Sequence, residues 1–86
     1  MSDFDGVWRN IESCADEVFT TVTGIEFSYT VRNGRVHLGN TNRTISRDAF
    51  AEVYKLMPLK GPGQIRDLVQ GPSYVYGILT DDRVRP

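Results

Sequence analysis

The chain has 86 residues and a formal net charge of -1, with 40% hydrophobic and 24% charged residues. That is one domain's worth of chain with enough apolar material for a core, and too balanced a composition for a disordered segment. A single cysteine, Cys14, excludes an internal disulfide framework and points to a reducing compartment.

No apolar run approaches the ~18 residues that a bilayer span needs. The acidic start Met1-Ser2-Asp3-Phe4-Asp5 has neither the basic nor the apolar region of a secretory signal. The expectation is a cytoplasmic protein with no membrane partner. Charge is segmented along the chain. Residues 1–31 carry Asp3, Asp5, Glu12, Asp16, Glu17 and Glu26 against Arg9, while residues 32–66 carry Arg32, Arg35, Arg43, Arg47, Lys55, Lys60 and Arg66 against Asp48 and Glu52. Segmentation of this kind points to a charged partner.

The first element reads as a helix over residues 5–18. Phe4, Val7, Trp8, Ile11, Cys14, Ala15 and Val18 recur at three- and four-residue spacing, which makes one buried stripe. Ser2, Asp3 or Asp5 suits its N-cap. Cys14 lies on that stripe and reads as a small core residue. From Ile25 to Arg32 apolar and polar residues alternate, the pattern of a half-buried strand. Asn33-Gly34 follows, a two-residue turn whose positions both favour positive φ, and it sets Arg32 opposite Arg35, Val31 opposite Val36, Thr30 opposite His37 and Tyr29 opposite Leu38. Residues 19–22 are a candidate third short strand.

Residues 39–44 read as a loop. Ser46 is the N-cap of a second helix, with Ile45 and Phe50 as a hydrophobic staple, Val53, Tyr54 and Met57 on its buried stripe, and Pro58 as its stop. After the Gly61-Pro62-Gly63 turn, Ile65, Leu68 and Val69 suggest a short amphipathic helix ended by Gly71-Pro72. Ser73 then caps a last element over residues 73–80. Val75, Ile78 and Leu79 favour helix, while Tyr74-Val75-Tyr76 also fits strand and Gly77 weakens either assignment. The tail Asp81-Asp82-Arg83-Val84-Arg85-Pro86 is expected to fray. The fold class is therefore α+β: an N-terminal helix, an antiparallel hairpin with two or three short strands, then two or three short helices.

No catalytic set is readable. The one histidine, His37, falls on the polar face of the hairpin without an orienting acid or nucleophile at matched spacing. One histidine and one core cysteine do not make a metal site, and no cofactor is implied. Gly61-Pro62-Gly63-Gln64 lacks the lysine and spacing of a phosphate loop. An enzyme is not expected.

The basic surface carries the functional expectation. Arg32-Asn33-Gly34-Arg35 sets two guanidiniums side by side at a hairpin tip, where like charges are mildly destabilising unless they are solvated or meet an anion. Arg43 and Arg47 follow near a helix start, where a cation opposes the helix dipole but is well placed to hold an anion drawn there. Asn40, Thr41, Asn42 and Thr44 around them can donate hydrogen bonds to a nucleic-acid backbone. Tyr74 and Tyr76 cannot both face inward from one helix, so they form a candidate interface.

The run Gly71-Pro72-Ser73-Tyr74-Val75-Tyr76-Gly77-Ile78-Leu79 with Asp82-Arg83-Val84 resembles small uncharacterised bacterial α+β domains. So do Thr23-Gly24-Ile25-Glu26-Phe27-Ser28-Tyr29, Asn42-Arg43-Thr44-Ile45-Ser46 and the Met57-Pro58-Leu59 turn. Some of those domains are fused to restriction-type or other DNA-associated proteins. The resemblance runs from Thr23 onward and implies a module with no known chemistry; Gly77 stands where an alanine is expected. Two expectations follow. One is a nucleic-acid-associated module that contacts backbone phosphate through Arg32, Asn33, Arg35, Asn42, Arg43 and Arg47. The other is a protein-interaction or regulatory domain, self-associating through its acidic helix and basic hairpin or binding a partner at Tyr74 and Tyr76.

Overall fold

A computed structural model of the chain describes residues 3–39, 41–69 and 71–85. Ser2, Asn40 and Pro86, given a cap, a loop-donor and a tail role above, lie outside the described residues. In chain order come helix α1 (Asp3–Ser13), strands β1 (Phe19–Thr20), β2 (Glu26–Phe27), β3 (Tyr29–Arg32), β4 (Arg35–Leu38) and β5 (Thr44–Ser46), and helix α2 (Arg47–Tyr54). A 3₁₀ turn (Pro62–Ile65) and helix α3 (Pro72–Leu79) follow. The class is α+β as expected, with an antiparallel pair β1-β2 and an antiparallel three-stranded sheet β3-β4-β5.

Helix α1 buries Phe4, Val7, Trp8, Ile11 and Cys14. Its end corrects the sequence reading. Asp16 adopts a left-handed backbone (φ 73), and its N–H donates to the Tyr29 carbonyl at 2.8 Å. The chain turns into β1, so Val18, which fits the helical spacing, is 57% exposed. Helical period could not foresee this, because the competing partner is strand β2, reached through the Phe19–Phe27 and Thr20–Glu26 pairings. The turn leaves the Ile11 carbonyl at the helix end, and the buried Tyr29 hydroxyl donates to it at 2.7 Å.

The single strand expected from Ile25 to Arg32 is two. It breaks at Ser28, where β2 pairs with β1 and β3 pairs with β4, and Ile25 ends up half-exposed instead of in the core. The hairpin register is the expected one throughout. Asn33 and Gly34 hold φ of 52° and 72°, the conformation a two-residue turn needs. Strand β5, read above as loop and staple, joins the sheet with Val36 opposite Ile45. Ser46 caps α2 by accepting the Ala49 N–H at 3.1 Å, and Phe50 and Val53 are fully buried.

The later chain brings three corrections. Ile65 belongs to the 3₁₀ turn and is buried, but Leu68 and Val69 lie in turns and Leu68 is half-exposed. Helix α3 is helical as preferred, but its N-cap is Gly71 (φ 66) with Pro72 at the first position, so Ser73 lies inside it. Gly77 faces β1: a Cβ there would stand 3.1 Å from the Thr20 carbonyl oxygen, so its lack of a side chain lets the helix sit close.

The tail does not fray through Arg85. Val84 is fully buried, and Asn10 Nδ2 donates to its carbonyl at 2.8 Å. Arg83 donates to the Val18 carbonyl at 2.8 Å and to Asp81 Oδ1 at 2.9 Å, with its guanidinium 4.1 Å from the centre of the Phe19 ring. Hydrogen bonding from Arg83 holds the Asp81 carboxyl below its usual range.

Candidate functional site

The hairpin and β5 form a sheet with one wet face. Alternation places Tyr29, Val36, Leu38 and Ile45 inward, all buried, while Thr30, Arg32, Arg35, His37, Thr44 and Ser46 alternate to the other side. Pairing then arranges this outer face in two rows: Thr30–His37–Thr44, and Arg32–Arg35–Ser46 nearer the turn. From Ser28 to Arg47 the chain carries four arginines and no acid.

The loop after β4 folds back onto this face. Gly39 N–H donates to the Ser28 carbonyl at 2.8 Å, and a Cβ on Gly39 would stand 3.2 Å from that oxygen, so the tight crossing depends on glycine. Leu38 N–H donates to the Arg43 carbonyl at 3.3 Å, and Arg43 N–H to Thr41 Oγ1 at 3.0 Å, which fixes where Arg43 leaves the loop. Arg32, His37, Asn42 and Arg43 thereby line one open groove of about 470 Å³, with Thr30, Thr41 and Thr44 supplying hydroxyls. Asp16 also lines it.

Among the described residues, Arg32, Arg35 and Arg43 have no carboxylate partner, whereas Arg47, Arg83 and Arg85 each do. Arg32 and Arg35 face each other directly across the ladder, so each raises the other's electrostatic energy. Arg35 reaches Thr44 Oγ1 only at 3.5 Å, the long limit of a hydrogen bond. Three guanidiniums on one stretch of surface thus lack a carboxylate partner among the described residues.

Arg47 is not brought together with them. Its guanidinium bonds Asp5 Oδ1 at 2.7 Å and lies 5.2 Å from the Phe4 ring centre and 6.0 Å from that of Trp8, tying α2 to α1. Its N–H donates to the Gly34 carbonyl at 3.0 Å and so pins the hairpin tip to the start of α2. Asn33 serves the turn through its backbone and stays exposed beside Arg32. His37, which sequence reasoning set aside as a lone residue, faces the same groove as Arg32 and Arg43. Its register opposite Thr30, on the same outward face as Arg32 and Arg35, was the available signal.

The tyrosines of α3 are both half-buried. Tyr74 packs edge-on against Phe27, ring centres 5.0 Å apart, and the Tyr76 carbonyl accepts the Thr80 hydroxyl at 2.7 Å. Burial and the nearby Glu17 push the Cys14 thiol up, which keeps it protonated and poorly nucleophilic. Among the described residues no three His, Cys, Asp or Glu side chains come together to hold a metal ion, and no helix is long and apolar enough to cross a membrane. No protein-family model, curated protein or solved structure matches the chain, so its function is argued from the site alone.

Proposed function

We propose that this chain is a non-catalytic binding module that grips the phosphate backbone of a nucleic acid across the outer face of β3–β5 and the loop ending at Arg43. One observation carries the reading: Arg32 and Arg43 line one open, hydroxyl-rich groove, Arg35 stands opposite Arg32 across the ladder, and none of the three has a carboxylate partner among the described residues, although Asp16 also lines the groove. Guanidinium forks match phosphate oxygens two donors at a time, and the Thr30, Thr41 and Thr44 hydroxyls with the Asn42 amide suit the remaining oxygens. An anion between Arg32 and Arg35 also relieves their mutual repulsion. Among the described residues that line the groove, Tyr29 is buried and His37 half-buried, so little ring face is offered to unpaired bases, which favours a duplex over a single strand.

The test is fluorescence anisotropy of a labelled mixed-sequence duplex and a labelled single strand at low and near-physiological salt. The Arg32→Ala/Arg35→Ala/Arg43→Ala variant runs alongside, with its fold checked by circular dichroism. Salt-sensitive duplex binding that the folded variant loses is the expected result. Absence of binding at low salt, where the attraction is strongest, would overturn the proposal.

A further inference from the structure

Strand β5 is the outer strand in the order β3-β4-β5. The backbone bonds flanking its contact with β4 are Leu38 N–H to the Arg43 carbonyl and Arg47 N–H to the Gly34 carbonyl, and Val36 lies opposite Ile45 between them. By antiparallel alternation, the N–H and C=O of Thr44 and the N–H of Ser46 then point away from the sheet. None of these three groups meets a hydrogen-bond partner among the described residues.

A groove of about 330 Å³ runs beside this edge. Arg35, Thr44 and Ser46 give it a largely polar lining, Ala49, Leu68 and Val69 add an apolar part, and Leu68 is 49% exposed although it is a large aliphatic residue. Among the described residues no acid lines it. An open backbone row, a groove with an exposed aliphatic side chain and a cation without a carboxylate partner are together the three parts of a strand-addition site: main-chain bonds for affinity, a pocket for alternate side chains, and a charge for selection.

We infer that the β5 edge takes an extended segment of a partner protein as a further strand, with an aliphatic side chain against Leu68 and a carboxylate on Arg35. Charge decides the occupant. The β5 of a second copy would bring Thr44-Ile45-Ser46, which has no acid to offer Arg35. This inference shares Arg35 and Thr44 with the nucleic-acid reading, but Leu68, Val69 and Ala49 line the edge groove and not the basic one, so the two can be tested apart.

The probe is a labelled, capped heptapeptide of alternating valine and glutamate. It is compared with its valine–lysine counterpart and with a valine–glutamate version N-methylated at alternate amides. Binding of the glutamate peptide, weakened at least about tenfold by either change, is expected. Leu68→Asp, at an exposed position, should abolish it, and Thr44→Pro, which removes an outward N–H that the fold does not use, should do the same. Both variants are first shown to be folded, and Leu68→Ala, which brings no charge into the groove that Arg35 lines, should weaken peptide binding while leaving duplex binding unchanged. Equal binding of the N-methylated peptide, or full binding by folded Leu68→Asp, would overturn the inference by reducing the contact to charge alone. So would failure of the glutamate peptide to bind. A dimer in sedimentation that Thr44→Pro dissolves would overturn it in favour of a second copy.

Discussion

Replacing Val84 with alanine tests how firmly the C-terminal segment is built into the core. The side chain is fully buried, and the substitution removes two methyl groups' worth of apolar volume. At about 0.8 kcal/mol per CH₂ the transfer loss is about 1.6 kcal/mol, and an incompletely collapsed cavity raises it to about 2–3 kcal/mol. In a domain of this size each kcal/mol moves the melting temperature by about 4–8 °C, so Val84→Ala is expected to melt roughly 10–20 °C below the parent in a circular-dichroism scan. Deleting residues 83–86 adds the loss of the Asn10 bond and of the Arg83 bond to the Val18 carbonyl, each about 1 kcal/mol after allowance for the partial exposure of Arg83. Total losses of about 4–5 kcal/mol take most of a small domain's stability. Arg85→Ala, on the exposed side of the same segment, is the control and should shift melting by less than about 0.5 kcal/mol. A Val84→Ala protein that melts within about 2 °C of the parent would refute the reasoning, because no buried valine can be lost so cheaply.

Three further outcomes are expected. Duplex affinity should fall with salt at a log–log slope of about -2.7 for three phosphate contacts, losing about 0.9 of slope with each of Arg32, Arg35 or Arg43 removed. Arg47→Ala should leave that affinity within about twofold while lowering stability by about 1 kcal/mol through the lost ion pair with Asp5 and the lost contacts with Phe4 and Trp8, read by parallel anisotropy and melting. Tyr29→Phe should cost about 1–3 kcal/mol by leaving the Ile11 carbonyl unpaired. Burial holds the Tyr29 hydroxyl above its ordinary value of 10.0, so the folded state keeps the proton that the unfolded chain releases. The stability it confers is whole below pH ~10 and lost as pH rises through the raised folded value; the phenylalanine variant should show less of this alkaline loss in denaturant titrations.

What the sequence disclosed follows the range of the forces involved. The hairpin was readable residue by residue, because Asn33-Gly34 and the alternation around it are local signals whose register has one consistent solution. Helix α2 was readable from Ser46, Ile45 and Phe50 for the same reason. The end of α1 was not: Val18 satisfies the helical period, and only the distant Phe27 explains why the chain leaves it. Strand β5 is three residues long and carries no alternation of its own beyond Ile45, so its pairing with Val36 is invisible without the fold. The site divides likewise. Arg32 and Arg35 follow from the turn, and Arg43 follows from the loop's return to β4. The pairing of Arg47 with Asp5 was not legible, because the two lie 42 positions apart and a charge tally by segment counts them as separate patches.

The bond between Asn10 and Val84 spans 74 positions. Closing a flexible loop of that length costs about 4 kcal/mol of chain entropy, so the tail is the contact least able to form before the rest of the fold is in place. Interactions absent from the folding transition state govern how long the native state survives. Val84 and Arg83 therefore act as a latch on unfolding: a chevron plot of Val84→Ala should raise the unfolding limb and leave the folding limb where it was.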